Sequence, residues 1–188
     1  MKTRADLEAC YRFFDNENVT PAKILEPHIK ATYQRIEQVD FALLVQDTTE
    51  IDLTRPEQQV EGAGPMDSES RRGAFFHPMV AFDFDGVALG LVGEKSWTRE
   101  AISNGTPAEK STKRRKTRIE EKESYRWLEG LQMAKQAAQA CPQTTCVCVG
   151  DSESDIYDLF VAANMSETPN LHLLVRAGQN RNTTDKED

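Results

Sequence analysis

Two short apolar runs, far apart in the chain, each end on an aspartate, and this repeated arrangement constrains the fold more than any other feature. Phe41-Ala-Leu-Leu-Val-Gln46 hands over to Asp47-Thr48-Thr49, and Thr145-Cys-Val-Cys-Val-Gly150 hands over to Asp151. Runs of this length, apolar or β-branched and bounded by turn formers, read as buried strands. A carboxylate at the C-terminal tip of such a strand is where open α/β folds place their chemistry. Glu153, Asp155 and Asp158 follow Asp151. The pattern predicts a helix from about Glu153 to Ala163, with Ile156, Leu159 and Phe160 on its apolar side.

At 188 residues the chain is one ordinary domain, or a domain with an attached fragment. No apolar run approaches the roughly 20 residues that span a bilayer. The opening MKTRADLEACYRFF has no apolar signal region, so export is not expected and the cytoplasm is the expected location. Cys10, Cys141, Cys146 and Cys148 fit no C-x-x-C zinc spacing; Cys146 and Cys148 alternate along a strand, so they share one face as buried reduced thiols. The net charge of −8, from 31 acidic and 23 basic residues, argues against a protein that coats nucleic acid. Against that sum, Lys110, Lys113, Arg114, Arg115, Lys116 and Arg118 form one acid-free run. By composition it is a solvated loop; beside an active site it would be a phosphate contact.

The remaining segments supply a scaffold. Leu7, Cys10, Tyr11 and Phe14 predict a helix over residues 6–16, broken by Asn16-Glu17-Asn18. Thr20-Pro21 reads as an N-cap and first helical position, opening a second helix towards Val39 that Pro27 should interrupt or kink. Ile51 and Leu53 continue an alternating pattern; residues 54–72 read as a long loop, with 57–66 open to disorder. Ala74–Phe84 and Val87–Trp97 predict a hairpin around Asp85-Gly86. Residues 98–118 read as a polar, basic loop. A helix is predicted over Ile119–Ala140, ended by Pro142, and a last strand over Leu171–Arg176.

Strand, hairpin, helix, strand, helix, strand is the order of a ribonuclease-H-like fold, an α/β mixed sheet with flanking helices. In that fold one acid sits on the first strand and a second at the end of the fourth, the positions of Asp47 and Asp151. Two such carboxylates can hold Mg²⁺ or Mn²⁺ through hard oxygen donors, with substrate phosphates completing the shell. Paired ions about 3.5–4 Å apart stabilise attacking and leaving oxygens in phosphoryl displacement.

Two family resemblances follow. Val80-Ala-Phe-Asp83-Phe-Asp85-Gly86-Val87 with Val149-Gly-Asp151-Ser-Glu-Ser-Asp155 resembles the first and the late motif of haloacid-dehalogenase-like phosphatases. That likeness implies Asp83 as nucleophile, Asp85 as acid/base and Asp151 as a metal ligand. It departs from the family in the eighty or so residues before Asp83 and in the direct hairpin return after it. A wider set of segments, in order, is similar to the DDE transposases of bacterial insertion sequences, the cut-and-paste branch with a Tyr-Arg-Glu-Lys motif. These are Tyr11-Arg-Phe-Phe with Asn16-Glu-Asn-Val19, Gln46-Asp-Thr-Thr49, Leu89-Gly-Leu with Trp97-Thr-Arg99, Glu121-Lys-Glu-Ser124 with Arg126-Trp127, Asp151-x-Glu153-x-Asp155-Ile-Tyr157, and Leu174-Val-Arg176.

This resemblance implies that Asp47 and Asp151 are catalytic metal ligands, supported at the first strand end by Thr48 and Thr49. It implies Arg176 as a DNA-backbone contact, beside which Lys113, Arg114 and Arg115 of the basic run are candidate DNA contacts, with transposon ends as the DNA partner and a homo-oligomer or a full-length transposase as protein partner. Residues 1–40 would be a helical remnant of the DNA-binding region, and 41–188 the first part of the catalytic domain, incomplete at its C-terminus. Ser152 stands where the family has Arg, and the third catalytic acid, on a later helix, has no counterpart here. The resemblance therefore implies a truncated transposase, inactive alone or a non-catalytic partner of a complete one.

Overall fold

The computed structural model describes residues 3–55, 58, 60–68, 70–100, 106, 108–109, 112, 116–165 and 167–181. Its centre is a mixed sheet built from β1 (Phe41–Gln46), β2 (Thr49–Asp52), β3 (Gly64–Pro65), β4 (Arg72–Phe82), β5 (Ala88–Trp97), β6 (Thr145–Gly150) and β7 (Leu171–Val175). β1 and β2 pair antiparallel with β4 in one unbroken register, Gln46 opposite Met79 and Thr49 opposite Phe76. They are therefore one long strand interrupted at Asp47-Thr48. Val80 of β4 pairs with Val45 on one edge and with Leu91 on the other. The sheet thus runs β5, β4, β1, β6, β7, with β6 and β7 parallel to β1. This is an α/β architecture with a mixed sheet and flanking helices, consistent with the ribonuclease-H-like expectation.

Alternation along the strands sorts the core from the second face. Ala42, Leu44, Gln46, Cys146 and Cys148 are buried. Helix α3 (Arg126–Ala140) covers that side with Trp127, Leu131, Ala134, Ala137 and Ala138, all buried. Cys146 and Cys148 share this face as free thiols, and burial pushes both up to about 12. The intervening Leu43, Val45, Val147 and Val149 are only half-buried on the other side.

The helices differ from expectation in informative ways. α1 (Arg4–Phe14) starts with a capping box, Thr3 and Asp6 each bonding the other's backbone N–H, and buries none of its residues. α2 (Pro21–Ile36) is capped by Thr20 and runs through Pro27 without the expected interruption. Pro27 lies on the exposed side, where the carbonyl it leaves without an N–H partner can meet water. α2 packs on β5, where Gly90 has φ +134° and an added Cβ would fall 2.4 Å from Thr32 Oγ1. The long loop ends packed rather than loose: Ala63 and Met66 are buried, and β3 pairs with β4.

The predicted helix over Ile119–Ala140 is α-helical only from Arg126. Two 3₁₀ turns, Ile119–Glu121 and Glu123–Tyr125, precede it, separated by an extended Lys122. Glu123 is held there by Arg99, whose Nη2 donates to Glu123 Oε2 at 2.6 Å and whose guanidinium lies 4.1 Å over the Phe75 ring. The helix predicted from Glu153 is likewise divided into a 3₁₀ turn, Ser152–Ser154, and α4 (Tyr157–Asn164).

Candidate functional site

The parallel register brings the two aspartates together. Phe41 stands opposite Thr145 and Val45 opposite Val149; the same offset, carried two residues on, sets Asp47 against Asp151. In the next pair Gly150 stands opposite Val175, so Asp151 is followed across the sheet by Arg176, whose N–H donates to Gly150 O at 3.1 Å. Asp47, Asp151 and Arg176 thus form one row at the C-terminal ends of three parallel strands, and all three are exposed.

Each aspartate spends one oxygen on its own turn. Thr48 N–H donates to Asp47 Oδ1 at 2.7 Å, and Glu153 N–H donates to Asp151 Oδ1 at 2.9 Å. These local bonds fix both carboxylates at the strand ends. Among the described residues neither is in an ion pair. Charge and hard oxygen donors suit a divalent cation completed by water or phosphate. Among the described residues no group of three or more His, Cys, Asp or Glu side chains forms a metal-holding set. Among the described residues the site offers these two carboxylates.

Behind this row, on the helix-covered side, lies a buried polar chain. The Arg126 side chain, 12% exposed, donates from Nε to Thr48 Oγ1 at 2.7 Å, from Nη1 to Glu123 O at 3.0 Å and from Nη2 to Glu153 Oε2 at 2.8 Å. Arg126 can only donate. Thr48 Oγ1, accepting from it, lies 2.9 Å from His77 Nδ1. His77 Nε2–H then donates to Gln46 Oε1 at 3.1 Å, and Gln46 Nε2 to Cys148 Sγ at 3.2 Å. Burial, with the positive charges of Arg126 and Lys95, pushes His77 down to about 4. Its ring is therefore neutral at pH 7. The ring also meets Trp127 edge-on at 4.8 Å between centroids.

Asp155 belongs to the structure rather than to the row. It accepts from Gly178 N–H and Gln179 N–H, both at 2.7 Å, and pairs with Arg181. The two N–H groups and Arg181 hold its carboxyl below the usual range. They also draw it out of the helix that the sequence predicts, tying the segment after β7 across Ser152. An added Cβ at Gly178 would lie 2.9 Å from Ser152 Cβ, so glycine is what permits the crossing.

Asp83 and Asp85 are not brought to Asp151. Phe82 stands opposite Leu43, so Asp83 lies at the start of β1, about 17 Å from Asp47 at ~3.3 Å per residue. Asp83 Oδ1 accepts from Asp85 N–H at 3.0 Å and Val87 N–H at 2.8 Å, closing the turn of the β4–β5 hairpin. Lys113, Arg114 and Arg115 lie outside the described residues.

Sequence reasoning found Asp47, Asp151 and Arg176 but gave Arg126 no role beyond its place in a motif. Its signal was faint: a cation at the start of a helix, where the dipole disfavours positive charge. Such a placement needs a compensating partner, here Glu153. His77, inside an apolar strand, was also unremarked.

No family model matches the sequence, and no curated protein does. Among solved structures the chain is similar to one described as the Mos1 strand transfer complex, at 13% identity and a TM-score of 0.33. That likeness covers 81% of this chain and 42% of the other, so this chain spans less than half the length of that neighbour.

Proposed function

We propose that Asp47 and Asp151 are two carboxylates of a divalent-cation site acting on DNA phosphodiesters, as in DDE transposases of bacterial insertion sequences. The observation that carries this reading is the β1–β6 register, which aligns two exposed carboxylates at adjacent parallel strand ends. Bound Mg²⁺ or Mn²⁺ would supply Lewis-acid stabilisation of phosphoryl oxygens and an activated water or 3′-hydroxyl. Asp47 and Asp151 would hold the ion, each oriented by the N–H it accepts. Arg176, at the end of the same row, would take a backbone phosphate, with Lys113, Arg114 and Arg115 as further DNA contacts. Residues 1–40 would serve binding of the transposon end and 41–188 the catalytic body.

Among the described residues the row holds two carboxylates, which leave the cation and the transition-state charge short of a ligand. The chain alone is therefore expected to bind DNA ends in a metal-dependent way without cutting them, in a homo-oligomer or beside a complete transposase. The test is a gel-shift and strand-transfer assay on labelled transposon ends with Mg²⁺ or Mn²⁺. Metal-dependent retention lost in Asp47→Asn and Asp151→Asn, without cleavage, is the expected result. Robust cleavage by the isolated chain would contradict the incompleteness, and retention indifferent to both substitutions would contradict the site.

A further inference from the structure

We infer that Arg126 is a positioning residue, a three-pronged clamp that fixes the two carboxylate-bearing strand ends relative to one another. The inference rests on reading Asp47 and Asp151 as a cation site, and it adds a member that touches neither carboxylate.

The geometry is specific. Thr48 follows Asp47, and Glu153 belongs to the turn whose N–H orients Asp151. These two residues come from different strands, separated in sequence by the whole hairpin and α3. One guanidinium bonds both, while its third nitrogen bonds Glu123 O immediately before α3. The strand ends are therefore referenced to each other and to the helix through one planar group. Its plane is supported by the Trp127 and Trp97 rings, 5.0 and 5.9 Å from the guanidinium carbon. Below it, Thr48 is braced through His77 and Gln46 to Cys148 on the second strand, so the two strands are joined twice.

A lysine cannot reproduce this. An ammonium is a point charge on a flexible stem, whereas the three prongs diverge from a rigid fork. The positive charge also sits behind a row of two carboxylates, and lysine would keep that charge while losing the fork. Arg126→Lys therefore separates geometry from electrostatics, and Arg126→Met removes both.

The test uses the full chain and two readouts. Without metal, amide hydrogen exchange at Thr48 and Glu153 should rise fivefold or more in both variants, with the Leu44 and Ala81 amides in the sheet centre unchanged. In a calorimetric titration with Mn²⁺ alone, affinity should fall fivefold or more in Arg126→Lys as well as in Arg126→Met. Exchange that stays at the wild-type rate, or that rises evenly across the sheet, would overturn the clamp. Full rescue of Mn²⁺ affinity by lysine would also overturn it, since one ammonium cannot make the three diverging bonds and charge alone acts the other way, a nearby cation disfavouring Mn²⁺. Should Arg126→Met fail to fold, Arg126→Lys and Thr48→Val carry the same exchange comparison. Wild-type Mn²⁺ binding indifferent to Asp47→Asn would instead remove the cation-site reading, and the exchange result would still decide the clamp.

Discussion

The two ends of this sheet both carry aspartates, and they use them differently. At one end Asp83 closes a hairpin, its Oδ1 accepting two turn N–H groups. At the other, Asp47 and Asp151 each accept a single N–H, face solvent, and have a half-buried cation behind them. Asp83-x-Asp85-Gly86 looks more like a catalytic motif than Gln46-Asp47-Thr48 does. What separates them is placement: all three spend Oδ1 on their own turn, but parallel strands leave Asp47 and Asp151 side by side at an open edge.

The contrast can be tested in stages, the largest effect first. Trp127 is fully buried beneath the Asp47–Asp151 end, against His77 and near Gly150. Trp127→Ala should cost about 3–5 kcal/mol in urea unfolding, the usual range for emptying a buried aromatic site. Trp127→Phe should cost far less, because the indole N–H has no hydrogen-bond partner among the described residues.

The next effect is a pH dependence confined to the same end. His77 is held near 4 in the folded chain, chiefly by burial, against an ordinary value of 6.5. The unfolded chain therefore takes up a proton first as pH falls. His77's contribution is complete above about 6.5 and is lost progressively down to about 4. Its full size is on the order of 2–3 kcal/mol, from ~1.4 kcal/mol per pKa unit with allowance for relaxation. Urea midpoints measured from pH 7.5 to 4 should show this slope, and His77→Gln should flatten it.

Asp83→Ala should be smaller still. Losing two exposed turn hydrogen bonds should cost about 1 kcal/mol in the same unfolding assay. Mn²⁺ binding should not change, since the turn lies at the far end of the sheet.

Much of this is legible in the sequence, for identifiable reasons. Strand existence came from two buried runs that each end on an aspartate, and the pairing of Asp47 with Asp151 from the ribonuclease-H-like order of elements into which those runs fit. The hairpin was announced by Asp85-Gly86. Element starts were not legible where a side chain far along the sequence competes with local propensity. Glu123 is held by Arg99, and Asp155 by Gly178, Gln179 and Arg181, so both predicted helices start late. Pro27 does not interrupt α2, because tertiary packing of the helix on β5 outweighs one lost hydrogen bond. The Arg126 clamp was beyond sequence reasoning because its partners, Thr48 and Glu153, are 78 and 27 residues away.

The central claim is that the Asp47–Asp151 end, and not the Asp83 end, holds a divalent cation. Calorimetric titration of Mn²⁺ into the wild-type chain and into Asp47→Asn, Asp151→Asn and Asp83→Asn decides it. The account predicts tenfold or greater loss of affinity in the first two variants and wild-type affinity in the third. Loss confined to Asp83→Asn, or equal binding by all four proteins, would contradict it.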